Sequence, residues 1–143
     1  MACLPDDRFR VEDTNSVRGL GLFVGESAIS EGTYLMDYGG KVLEQAEYDR
    51  RYPTGGEHEP DYAVAILRSD GRTSYVDAAR EKESNLARYM NHAEGDGANC
   101  VAWTLSEPAV RVMLFAAHDL AAGEELCWDY GAAYWECRSA EKV

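Results

Sequence analysis

The dipeptide Asp70-Gly71 stands between two apolar runs, YAVAILR at residues 62–68 and TSYVD at residues 73–77. Asp-Gly is the pair that a two-residue hairpin turn favours, so the two runs are predicted to fold back on each other as antiparallel strands. In the first run Tyr62, Val64 and Ile66 alternate with Ala63, Ala65 and Leu67. Both faces are apolar, which predicts a central position in its sheet. Similar short runs occupy residues 9–12, 18–24 and 33–43, the last broken at Gly39-Gly40. Residues 100–105 and 110–118 form a second hairpin about Glu107-Pro108, and residues 126–130 a last short strand. Residues 44–52 (EQAEYDRRY) are a short helix candidate stopped by Pro53, residues 54–60 a loop, and residues 132–138 one or two helical turns. A chain of short strands with few helical turns fits a cluster of small sheets better than alternating βαβ units.

The 143 residues suffice for one domain with a real core, and no repeat or linker divides them. No run approaches the roughly 18 apolar residues of a membrane span. The opening MACLPDDRFR lacks the basic and apolar regions of a secretory signal, so an intracellular site of action is expected. Cys3, Cys100, Cys127 and Cys137 include no C-x-x-C pair, which favours reduced thiols in or near a core over metal or disulfide. Twenty-six acidic against 14 basic residues give a formal net charge of −12. That field repels phosphates, so no direct nucleic acid binding is expected. It attracts a basic peptide, although the same charge would serve solubility alone.

Four strings stand out from core packing. Gly19-Leu20-Gly21 lets backbone approach a ligand or turn tightly between strands. It is not a dinucleotide fingerprint, because the third glycine, Gly25, comes one place late and residues 22–24 read as strand. Tyr38, before Gly39-Gly40, presents a phenol to a pocket or is a strand residue with a satisfied hydroxyl. Asn91 offers donors and an acceptor to an amino-acid-like ligand, and His92 acts through backbone or ring or is a hydrogen-bonded core residue. In Glu125-Leu126-Cys127-Trp128-Asp129-Tyr130, Trp128 and Tyr130 share one strand face, as core or as pocket wall. Trp135 stacks on a nucleobase or plugs an end.

In this order the strings resemble the signature of the SET-domain lysine methyltransferases over residues 8–138: a G-x-G turn, an E-Y-x-G-like strand, R-F-I-N-H-S and E-L-x-x-D-Y. Here they read Gly19-Leu20-Gly21, Asp37-Tyr38-Gly39-Gly40, Arg88-Tyr89-Met90-Asn91-His92-Ala93 and Glu125 to Tyr130. The resemblance implies a single SET domain over residues 1–143. Its fold would be mainly β: a β-clip of several small sheets with short helices and a C-terminal pseudoknot. It implies that Gly19, Leu20, Gly21, Tyr62, Arg88, Asn91, His92, Tyr130 and Trp135 bind S-adenosylmethionine. Tyr38, Trp128 and Tyr130 would line the substrate-lysine channel, with Tyr130 and Tyr38 as catalytic residues and Tyr130 as the key phenol.

The family often continues N-H-S-C-x-P-N, with the Cys in a zinc cluster. Here Ala93 and Glu94 replace Ser and Cys, AEGDGA separates His92 from Asn99, and no Cys-rich segment precedes or follows. No metal is expected. The chain is similar to minimal stand-alone viral SET proteins, whose ending also has a Tyr-Trp pair, so Tyr134 and Trp135 would supply the cofactor's cover. The implied partner is a basic protein, a histone tail, met by the acidic residues of 44–61, and the implied location is nuclear, in the host if the source is viral. Trp128 at the family's Phe-or-Tyr switch leans towards di- or trimethylation. Monomer and homodimer both stay open. The alternatives are a SET-like binding module in chromatin without catalysis, and a methyltransferase of a non-histone lysine.

Overall fold

The computed structural model describes residues 2–53, 63–68, 70–107 and 109–129. Its strands are β1 (Phe9–Asp13), β2 (Leu20–Val24), β3 (Tyr34–Asp37), β4 (Lys41–Glu44), β5 (Ala63–Leu67), β6 (Thr73–Asp77), β7 (Asn91–His92), β8 (Cys100–Leu105), β9 (Arg111–Ala116) and β10 (Glu125–Trp128), with helix α1 (Gln45–Arg51) after β4. Both hairpins read from the sequence are present: β5 pairs with β6 and β8 with β9, each antiparallel. The helix candidate is α1. It lies on the small sheet through Tyr48, whose ring stacks on Tyr75 at 3.7 Å and 11°.

The larger sheet runs β1-β2-β10-β8-β9-β3, with β7 beside β10, and the smaller runs β4-β6-β5. This corrects the prediction of a central strand over residues 62–68: among the described residues β5 is an edge and β6 lies in the middle. Val64 and Ile66 are buried and Ala63, Ala65 and Leu67 half-buried, so β5 is apolar on both faces without being central. The central strand was disguised by polar residues. Ser74 and Asp77 are fully buried in β6. Ser74 Oγ donates to Glu44 Oε2 at 2.7 Å. Asp77 accepts from Arg51 Nη1 (2.9 Å), Tyr52 Oη (2.7 Å) and the Ala79 amide (3.0 Å). A buried carboxylate survives only with such a partner set.

The core is built from the inward positions of the strands, among them Leu22, Leu35, Leu114, Leu126 and Trp128, all with 0% exposure. Each such leucine contributes on the order of 2 kcal/mol through burial. Strand β10 is the element on which the site depends. On one side it pairs antiparallel with β2 (Glu125↔Phe23, Leu126↔Leu22). Further along the same side it pairs in parallel with β7 (Cys127↔Asn91, Trp128↔His92), and on the opposite side it pairs in parallel with the start of β8 (Trp128↔Cys100). Strand β2, from early in the chain, and β7 and β8, from much later, thereby meet at one four-residue strand.

Candidate functional site

The parallel pairing of β10 with β7 brings the two most informative strings of the sequence together. The Asn91 side-chain amide spends both its hydrogens locally: Nδ2 donates to the Leu20 carbonyl at 3.1 Å and to Glu125 Oε2 at 2.9 Å. Glu125 Oε1 in turn accepts from Arg18 Nη2 at 2.6 Å. The G-x-G turn, the N-H strand and the head of the E-L strand are thus joined by one chain of hydrogen bonds. The two glycines divide their tasks. Gly19 adopts φ +73°, with open space where a Cβ would stand. At Gly21 a Cβ would come within 2.8 Å of Glu125 Oε2, 2.9 Å of Thr14 Cγ2 and 3.3 Å of Asn91 Nδ2. Backbone freedom is needed at the first and close approach at the second.

Tyr38 packs on Trp128 of β10. Their ring centroids are 5.6 Å apart at 56°, and their exposures are 4% and 0%. That is the tilted geometry aromatic pairs prefer. Tyr38 is held by its amide, which donates to the Val112 carbonyl at 2.7 Å. Its neighbour Asp37 takes a two-pronged bond from Arg111 (Nε–Oδ2 2.8 Å, Nη2–Oδ1 3.0 Å) and the hydroxyl of Tyr34. Burial alone pushes the Asp37 carboxyl up. The bonds from Arg111 and Tyr34 outweigh it and hold the group below its ordinary value. Burial, with the Asp37 carboxylate beside it, pushes Tyr34 up to about 12.

Asn85, which the sequence did not flag, ties the two halves together. Its Nδ2 donates to the Asp37 carbonyl (2.9 Å), and its Oδ1 accepts from the amides of Gly39 (3.0 Å) and Ala87 (3.2 Å). It therefore links the Tyr38 strand to the 3-10 turn Leu86–Tyr89 that leads into β7. Asn99 is a second unflagged fastener. Buried at 8% exposure, it donates to Glu124 Oε2 (2.8 Å) and the Glu125 carbonyl (2.7 Å) and accepts from the Cys127 amide (2.9 Å). The one signal for it was its position as the closing Asn after the N-H string. For Asn85 the sequence carried no comparable signal.

Arg88 fastens backbone in the segment before β7. Its Nε and Nη2 donate to the carbonyls of Ala78 (3.0 Å) and Ala79 (3.1 Å), and its guanidinium lies 5.2 Å from the Tyr89 ring centroid. His92 is exposed rather than in the core, with Nε2 3.5 Å from Glu94 and Nδ1 3.9 Å from Asp129. Leu20 is half-exposed and supplies its carbonyl to Asn91. Tyr62, Tyr130 and Trp135 lie outside the described residues, as do the expected C-terminal pseudoknot, Tyr134, and Glu57, Glu59 and Asp61 of the acidic segment. Cys100 and Cys127 are buried free thiols and Cys3 an exposed one. Burial pushes Cys100 up to about 12 and raises Cys127, which makes both poor nucleophiles. Among the described residues no group of three or more His, Cys, Asp or Glu is placed to hold a metal ion, and no helix is long and apolar enough to cross a membrane.

The donor set fits the amino-acid end of S-adenosylmethionine. Both Asn91 hydrogens are spent, so the group it offers a ligand is the oxygen Oδ1, an acceptor suited to an ammonium. The neighbouring side chain, Glu125, is anionic, which suits a cationic ligand.

Comparisons with known proteins bear on the fold and the family. The family profile described as SET domain matches residues 19–131. The chain is 29% identical over 129 residues to Histone-lysine N-methyltransferase Set2 of Drosophila melanogaster, covering 90% of this chain and 5% of that protein. It is 35% identical over 118 residues to Histone-lysine N-methyltransferase EZH2 of Chaetomium thermophilum, covering 79% of this chain and 7% of that protein. Among solved structures, the methyltransferase domain of human Histone-lysine N-methyltransferase SETMAR matches with a TM-score of 0.74 and 28% identity over 90% of this chain and 46% of that one. The chain therefore spans less than half of each of these relatives. The motifs, the mainly β architecture and the profile converge, and the chain belongs to the SET domain family.

Proposed function

We propose that this chain is an S-adenosylmethionine-dependent protein-lysine N-methyltransferase acting on a basic histone tail, and that residues 1–143 form a single SET domain. The observation that carries this reading is the register of β10, with Asn91 opposite Cys127 and Trp128 packed on Tyr38. A polar grip for a cationic ligand on β7 and an aromatic wall that includes Trp128 of β10 are set beside each other by this pairing. The curated relatives named above support a histone or other protein substrate and a nuclear location.

When bound, S-adenosylmethionine supplies an electrophilic methyl group on a sulfonium. Gly19, Leu20, Gly21, Asn91 and His92, with Tyr62, Arg88, Tyr130 and Trp135, are the residues that would hold it. The amine of the target lysine must be neutral to attack. A free lysine has a pKa of about 10.4, which at pH 7 is a handicap of roughly 4–5 kcal/mol. The buried Tyr38 and Trp128 rings lower that handicap by denying water to the ammonium. No carboxylate base is required, because a buried carboxylate beside the amine would hold it charged. Tyr130 orients the amine with its hydroxyl and ring, and alignment supplies much of the rate gain. Trp128 carries no hydroxyl to retain a blocking water, which favours di- or trimethylation.

Labelled S-adenosylmethionine incubated with a panel of histones and other basic proteins tests this reading, followed by mapping of the modified lysine. Label on a histone-tail lysine is the expected result. Label confined to another protein moves the substrate class, and binding of the cofactor with no transfer to any protein contradicts the enzyme reading.

A further inference from the structure

The hydrogen-bond chain Arg18–Glu125–Asn91 does more than hold two strands together. The Asn91 amide faces two groups, the Leu20 carbonyl and Glu125 Oε2, that accept hydrogen bonds and cannot donate them. Its nitrogen must therefore point to them, and Oδ1 is left as the only part of the side chain with bonding capacity to spare. Among the described residues Oδ1 has no partner. Glu125 can impose this because it has two oxygens with separate duties: Oε1 takes Arg18 at 2.6 Å and Oε2 takes Asn91 at 2.9 Å. Gly21 makes the arrangement possible, since any Cβ there would collide with Glu125 Oε2.

We propose that Glu125 is a positioning residue that fixes the Asn91 amide oxygen-outward, so that the site selects a ligand carrying an ammonium group. This rests on the reading of the site as a cofactor site. It adds a specificity determinant that neither the G-x-G turn nor the N-H string contains in itself. Arg18 is part of the device. By occupying Oε1 it keeps the Glu125 carboxylate turned with Oε2 towards Asn91.

The substitution Glu125→Gln separates this role from a structural one. A glutamine cannot present an acceptor at both oxygen positions; when its oxygen faces Arg18, its Nε2 donor faces Asn91, and the Asn91 amide is released to turn over. Calorimetry with S-adenosylhomocysteine and with its desamino analogue, which lacks the ammonium, reads the difference without catalysis. The variant is expected to bind S-adenosylhomocysteine about tenfold more weakly, the usual scale of a charge-assisted hydrogen bond. Its affinity for the desamino analogue should stay within about twofold of the wild type, which also certifies that the variant is folded. Arg18→Gln should shift the same ratio in the same direction by less. Equal losses for both ligands, or no loss for either, overturn the positioning role while leaving the cofactor site intact. A wild-type protein that binds neither ligand overturns the cofactor reading itself and this inference with it.

Discussion

At the scale of single residues, the site is a set of short polar contacts whose removal has distinct signatures. Tyr130→Phe removes the hydroxyl proposed to orient the amine. Single-turnover kinetics should fall at least tenfold (about 1.4 kcal/mol) while circular dichroism is unchanged. Gly21→Ala places a methyl group 2.8 Å from Glu125 Oε2, and the expected outcome is weakened S-adenosylhomocysteine binding in a folded protein. The Tyr34–Asp37–Arg111 cluster predicts a pH dependence of stability. Asp37 is held below its ordinary pKa, so its contribution is present at neutral pH and is lost as pH falls through the acid range below about 4. Tyr34 is raised to about 12, so the folded state keeps its proton where the unfolded chain has lost it, and stability falls as pH rises from about 10 towards about 12. Thermal melts of the wild type and Tyr34→Phe across these ranges check both signs, since the alkaline loss should shrink in the variant. The sequence marked Tyr38 by the paired glycines that follow it, Asn91 and His92 as a polar pair suited to a ligand, and Trp128 by its place in the string Glu125 to Tyr130. It did not mark Asn85 or Asn99, because an asparagine that fastens backbone looks like any loop asparagine until its partners are known.

At the scale of elements, β10 is short, four residues, and is kept in register by what flanks it. The Asn99 side chain makes three hydrogen bonds to residues 124–127, all in a largely buried setting. Asn99→Ala leaves the Cys127 amide and the Glu125 carbonyl without these partners, so urea denaturation should report a loss of roughly 2–4 kcal/mol. A loss under about 0.5 kcal/mol would mean that strand pairing alone holds β10. The hairpins and α1 were legible in the sequence because turn residues and apolar alternation are local signals. The order of strands in the small sheet was not. Its centre, β6, carries Ser74 and Asp77, whose burial depends on Glu44, Arg51 and Tyr52 arriving from another element. A pattern rule that equates apolar faces with central strands fails where a polar network replaces apolar contact.

At the scale of the whole molecule, the chain carries 26 acidic residues against 14 basic ones and is proposed to receive a basic tail. Long-range attraction of that kind is screened beyond about 8–10 Å at physiological salt. The KM for a histone peptide should therefore rise steeply between low and high ionic strength while kcat changes little. A KM independent of salt would return the acidic surface to solubility alone. Family membership was legible because the four strings occur in order across nearly the whole chain. The meeting of those strings was not readable from spacing, since it depends on β10 pairing in parallel with a strand more than thirty positions upstream.

The central claim is that β10 sets a grip for a methyl donor beside a dry aromatic wall for a lysine. A crystal structure with S-adenosylhomocysteine and a lysine-containing histone peptide tests it most directly. The account predicts the amino-acid end of the ligand against Asn91 Oδ1 and the lysine chain ending beside Tyr38 and Trp128. A ligand bound away from Asn91, or a lysine seated on another face, would contradict it.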